Sequence, residues 1–95
     1  MITKAQIYIF FFVITNDNKE IMDERQLFFR IGERIRELRI REGISQQELA
    51  DRCNFEKSNM SRIEAGRTNP TLKSLYRISV ALGIPLRELV DVDTQ

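Results

Sequence analysis

Residues 57 to 65, KSNMSRIEA, set hydroxyls and cations at helical spacing. At about 100° per residue, Lys57, Ser58, Ser61, Arg62 and Ala65 share one contiguous arc of roughly 140°, with Asn59 at its edge. Met60 and Ile63 point the other way, as a buried helix face requires. Serine and alanine are too short to hold the helix off a surface, so its backbone can come close to whatever lies beneath, while a long cation reaches past them. A rod of that shape fits a DNA major groove about 12 Å wide, where arginine can pair with guanine O6 and N7 and serine can bond a base edge or a phosphate. The solvated polar face of any short helix has the same composition, and this face alone leaves both readings open.

Other chemistries have little to work with. The 95 residues contain no histidine, one cysteine (Cys53) and no glycine-rich phosphate loop, so neither a catalytic triad nor a metal hydrolase can be assembled. The expectation is a non-enzyme without metal or cofactor. A lone cysteine permits no intrachain disulfide and fits a reducing cytoplasm; its place in a turn between helices predicts core packing rather than reactivity. The formal charge, 15 Lys and Arg against 14 Asp and Glu, argues neither for nucleic acid nor for membrane. Its distribution says more: between Arg52 and Arg77 there are six basic residues against two acidic ones, Glu56 and Glu64.

Five helices can be placed after the opening segment, each with its own punctuation. The first starts at an Asp23 cap and runs to a Gly43 stop, with Phe28, Ile31, Ile35 and Leu38 inward. The second is opened by a capping box, Ser45 with Glu48, and by the hydrophobic staple of Ile44 and Leu49. It closes at Cys53 and Asn54, asparagine being one of the few non-glycine residues that accepts a positive φ. Phe55 staples to Met60, and the third helix runs from Lys57 to Ala65 with Gly66 as its stop. The fourth follows a Thr71 cap and ends at Gly83, with Leu72, Leu75, Ile78 and Leu82 inward. A fifth follows Pro85 and buries Leu86, Leu89 and Val90, and the acidic end DVDTQ is expected to fray.

The front of the chain is different. Ile7 to Ile14, IYIFFFVI, is less than half of the ~20 apolar residues needed to span a bilayer as a helix, and TNDNKE stands where a secretory cleavage site should lie. Its composition predicts a β-strand, stopped by TNDN, that pairs with its copy across a dimer or packs over the other subunit. Two alternatives stay open: a segment dispensable for function, with Met22 as the working start, or packing over its own domain.

The stretch SQQELADRCNFEKSNMSRIEAG resembles the helix-turn-helix of the lambda-repressor-like family, the Cro/CI or xenobiotic-response-element type, and the likeness extends over about 70 residues from IGERIRELR to ALGIPLREL. The resemblance implies that the third helix lies in the major groove while the second crosses the backbone. Carried onto this chain, Lys57, Ser58 and Arg62 stand where the family contacts bases. Asn59 and Ser61 are placed for phosphate or edge contacts, and Arg67, Thr68 and Asn69 match positions that touch the sugar-phosphate chain. Gln46 stands where the family binds a phosphate or supports the reading helix, and Arg39 with Glu64 where it pairs an arginine of the first helix with a glutamate of the third. Three positions depart from the family pattern. Asn54 replaces the turn glycine, Glu56 replaces a serine, threonine or aspartate cap and sets an acid beside the groove, and Pro85 replaces a capping serine.

The expectation is therefore an all-α, five-helix DNA-binding domain with an extra N-terminal β-strand. An arm spans residues 1–22, the helix-turn-helix domain 23–92 and a tail 93–95. The protein is expected to act in the cytoplasm as a homodimeric transcription regulator of prokaryotic or phage type, a repressor reading a palindromic operator. The alternative is a protein-interaction module on the same fold, an antitoxin covering a toxin or an adaptor with weak DNA affinity, which the near-zero net charge and Glu56 keep open.

Overall fold

The computed structural model describes residues 1–8 and 22–93, and among them every regular element is a helix. They are α1 (residues 4–8), α2 (Glu24–Arg41), α3 (Gln46–Cys53), α4 (Lys57–Glu64), α5 (Leu72–Leu82) and α6 (Leu86–Leu89).

The expected N-terminal strand is not found. Ile7 and Tyr8, its first two residues, belong to α1, and residues 9–14 lie outside the described residues. The local reason is a capping box: Thr3 Oγ1 accepts the Gln6 amide at 3.2 Å while Gln6 Oε1 accepts the Thr3 amide at 2.8 Å. The first helical hydrogen bond, Ile7 N to Thr3 O, follows from it. The β-forming composition downstream concealed a helix start upstream.

The five remaining helices follow their punctuation closely. Asp23 and Gln26 form a reciprocal box at the start of α2, Ser45 Oγ accepts the Glu48 amide without the return bond that the expected capping box requires, and Thr71 Oγ1 accepts the Ser74 amide. Asn54 takes the left-handed conformation at φ 58°, closing α3 so that Phe55 N can reach Ala50 O. α4 ends at Glu64, one residue earlier than expected, and Gly66 turns the chain at φ 71°.

The core is a single cluster in which Ile35, Leu49, Met60, Ile78 and Leu89 are fully enclosed, with Ile31, Leu38, Ile63 and Leu82 around them. Each such side chain contributes about 1.5–3 kcal/mol relative to exposure. Four expected inward positions depart from this, Leu86 only in being half-buried where it packs on the core. Phe28 is only half-buried, and Leu72 and Val90 are exposed. Leu72 is the first residue of α5; three successive steps of three, three and four residues carry the inward line away from it by about 80°. Val90 follows the last turn of α6 and has left helical register at φ −100°, ψ 9°.

The chain end is tied down as far as it is described. Arg34 Nε donates to Glu88 O at 2.9 Å and Arg30 Nη1 to Asp93 O at 2.6 Å, and Val92 packs against the core. The fraying expected for DVDTQ does not hold for its first three residues.

Candidate nucleic-acid interface

α4 is a two-sided rod. Met60 is wholly buried and Ile63 nearly so, and they fix the inner face against α2 and α3. Lys57, Ser58, Ser61, Arg62 and Ala65 are exposed on the outer face, with Asn59 half-buried between the two. Neither Lys57 nor Arg62 forms an ion pair among the described residues. Glu56 occupies the N-cap without a side-chain hydrogen bond, so its carboxylate serves the helix only through the dipole.

Two devices set where the rod sits. The first is a polar knot around Glu64, a carboxylate buried at 8% exposure. Arg39 grips it with a fork, Nε to Oε2 at 2.7 Å and Nη2 to Oε1 at 3.0 Å, and uses Nη1 to bind Ile44 O at 3.0 Å. Gln46 adds a third donor, Nε2 to Oε1 at 3.2 Å. Both partners of the ion pair are largely shielded from water, and among the described residues no buried side-chain polar atom lacks a partner. A charge removed from water is tolerable only when so matched. The knot links α2, the turn before α3, α3 itself and α4.

The second device is an approach of main chain to main chain. A Cβ at Gly32, in the middle of α2, would collide with the carbonyl oxygen of Ile63 and lie 2.6 Å from that of Glu64. Gly66 meets α2 in the same way, its virtual Cβ 2.5 Å from Phe29 Cα. The last turn of α4 therefore rests directly on the α2 backbone.

Arg67 and Asn69 are exposed in the loop after α4, and Thr68 is half-buried there. Gln46, also half-buried, lies with Lys57 and Ser61 around an open cleft of about 400 Å³ between α2, α3 and α4. The same cleft is lined by Arg36 and Gln47, which no motif in the sequence singles out. Arg36 reads from sequence as one of several solvated arginines on α2; only the helix packing shows that it faces this cleft. Cys53 is buried in the core and its thiol is pushed up to about 11 by that burial, with the charge of Arg77 acting in the opposite direction.

No helix among the described residues is long and apolar enough to cross a membrane, and no group of three metal-binding side chains occurs among them.

This geometry has close counterparts. A helix-turn-helix family model matches residues 35–89. A transcriptional regulator of Sinorhizobium fredii, y4dJ, is 39% identical over 69 residues, covering 73% of this chain and 86% of that protein. The restriction-modification controller protein C.AhdI of Aeromonas hydrophila superposes with a TM-score of 0.64 at 35% identity, over 65% of this chain and 94% of that one. SinR, a master regulator for biofilm formation solved in complex with DNA, gives 0.60 at 37% identity, over 64% and 98% of the two chains. The chain belongs to the lambda-repressor-like (Cro/CI) helix-turn-helix family of DNA-binding transcription regulators.

Proposed function

We propose that the protein is a homodimeric repressor that reads a palindromic operator in the cytoplasm, with residues 23–92 as the DNA-binding unit, 1–22 as an arm and 93–95 as a tail. Lys57, Ser58 and Arg62 contact base edges from α4. Asn59, Ser61, Arg67, Thr68 and Asn69 hold the sugar-phosphate chain on either side. Gln46 acts in two directions, since one hydrogen of its amide nitrogen is engaged by Glu64 and the second remains for a phosphate oxygen at the mouth of the cleft.

The observation that carries this reading is the contrast across eight residues of α4, where Met60 has no exposed surface while Lys57, Ser58, Ser61 and Arg62 are open. The relatives support it, since SinR was solved with DNA and C.AhdI is named a controller of restriction-modification. Binding should weaken steeply with salt, because each phosphate neutralised by lysine or arginine releases a counterion.

The test is a mobility shift with the DNA flanking the protein's own gene, at two salt concentrations, for the parent and for Arg62→Ala. The variant is expected to lose about 1–3 kcal/mol of binding and to discriminate less well at one base position. Equal affinity and equal selectivity would remove Arg62 from the base contacts, and a parent that selects no sequence would refute the regulator reading altogether.

A further inference from the structure

Arg36 differs from its neighbours on α2 in having no task inside the fold. Arg30 and Arg34 donate to carbonyls of the chain end and Arg39 grips Glu64. Arg36 is exposed and forms no ion pair or hydrogen bond among the described residues. The positions four before and four after it hold Gly32 and Ile40, so the usual i,i+4 carboxylate partner is missing. Glu33, three residues before, lines a separate cleft with Asp91 and Asp93.

The place of Arg36 is nevertheless fixed. On the wheel Gly32, Arg36 and Arg39 lie within about 60° of one another, so the face of α2 that carries α4 and grips Glu64 also carries Arg36. Its side chain lines the open cleft of about 400 Å³ between α2, α3 and α4, together with Lys57 and Ser61 of α4 and Gln46 and Gln47 of α3. Three cations and one carboxylate border this space, and Arg39 already neutralises the carboxylate, Glu64, which leaves Arg36 and Lys57 uncompensated. Gln46 gives one amide hydrogen to Glu64 and Gln47 gives one to Asp51 at 2.8 Å, so each amide nitrogen keeps a second. A cleft so rich in donors is matched by an anion with several oxygens.

We infer that the cleft seats one backbone phosphate of a DNA duplex, with Arg36 as its principal cation, so that α2 holds DNA together with α3 and α4. The inference rests on the function proposed above and adds a helix and a residue to it. A guanidinium fork pairs with the two unesterified oxygens of a phosphodiester, a match that an ammonium group lacks. Lys57, Ser61 and Ala65 belong both to the cleft and to the outer face of α4, so the cleft opens beside the rod. A helix about 10–12 Å across, lodged in a groove about 12 Å wide, has a phosphate strand at its flank. Because α4 rests on the main chain of α2, a phosphate held from α2 also sets the register in which α4 meets the base edges.

Mobility shifts at a series of salt concentrations test this, on the DNA flanking the protein's own gene and on a random-sequence duplex, for the parent, Arg36→Ala and Arg36→Lys. Arg87→Ala, which removes an exposed charge of α6 outside the cleft, is the control. Arg36→Ala should weaken binding to both duplexes about tenfold and lower the salt slope by about 1. Arg36→Lys should restore the slope and only part of the affinity, and Arg87→Ala should change neither. Thermal melts of Arg36→Ala and the parent should coincide, since Arg36 has no partner in the fold. Methylphosphonates placed one position at a time remove single phosphate charges; at one position per bound copy they should weaken the parent and leave Arg36→Ala unaffected. If Arg36→Ala keeps the parental slope, or loses affinity at every position where the parent does, the inference is overturned and the proposed function stands. Inorganic phosphate at matched ionic strength should compete no better than chloride. Competition seen with the parent and lost in Arg36→Ala would make the cleft a site for free phosphate and overturn the duplex assignment. If the parent binds duplexes without selecting a sequence and Arg36→Ala still lowers the slope, the inference stands and the proposed function falls.

Discussion

The outer face of α4 and the apolar stripe that α5 exposes are both open helix surfaces, and they differ in what being open costs. Lys57, Ser58, Ser61 and Arg62 hydrate well, so α4 loses little by waiting in water. Leu72, Tyr76 and Val80 gain nothing from water and lower the free energy of whatever covers them. The first surface suits a polar, charged, reversibly held ligand, and the second suits a neighbour that excludes solvent. Exposure alone says little about a helix; the chemistry of the exposed side chains says what it is exposed for.

The strongest way to sharpen this contrast is to attack the inner side of α4. Glu64→Ala leaves the Arg39 guanidinium shielded from water with one carbonyl as its partner, and should cost about 3–5 kcal/mol in urea denaturation. Replacing both residues with apolar ones, Arg39→Met with Glu64→Leu, should restore most of that stability. Operator binding should not recover with it, because the double variant lacks the anchor that also holds Gln46. Recovery of both would reduce the knot to a stability device.

On α5 the contrast can be drawn within one helix. Leu75→Ala should cost about 2–5 kcal/mol of monomer stability, as truncations in a packed core do. Leu72→Ala, one turn away, should stay within about 0.5 kcal/mol. A large loss at Leu72 in dilute, monomeric protein would mean that the stripe belongs to this chain's own core.

Gly32→Ala forces a methyl group onto the carbonyls of Ile63 and Glu64, where backbone rather than a flexible side chain must yield. A thermal melt should show about 1–3 kcal/mol of destabilisation, and the mobility shift should show a loss of operator affinity in protein that is still folded. Arg67→Ala, on the outside, should leave the melt unchanged, weaken binding to all sequences alike and lower the salt slope by about 1.

The effect confined to alkaline solution belongs to Cys53. Its thiol pKa is raised from 9.0 to about 11, so the folded state retains its proton after the unfolded state has lost it. None of the associated stability is lost below pH 9; it declines between pH 9 and about 11. Urea midpoints measured across that window should fall more for the parent than for Cys53→Ala.

Much of this arrangement can be read in the letters because its causes are local. Ser45, Asn54, Gly66, Thr71 and Gly83 mark ends of helices through conformations and hydrogen bonds a few residues long. Features that depend on two distant segments could not be read in that way. Nothing near Gly32 announces that α4 will lie on it, and Arg30, Arg34 and Arg36 look alike until the chain end and the cleft are in place. The N-terminal segment is a case of another kind. Thr3 and Gln6 carried a helix-start signal, and the apolar composition of the residues that follow outweighed it.

The resting of α4 on the main chain of α2 has a consequence for how such a protein can change. Because the tilt and height of the rod are fixed from within, by glycine-sized gaps and one gripped carboxylate, the letters at 57, 58, 61 and 62 can be exchanged without moving it. The scaffold behaves as a holder with interchangeable type: if α4 reads DNA as proposed, a new target can be addressed by resetting a few outward characters.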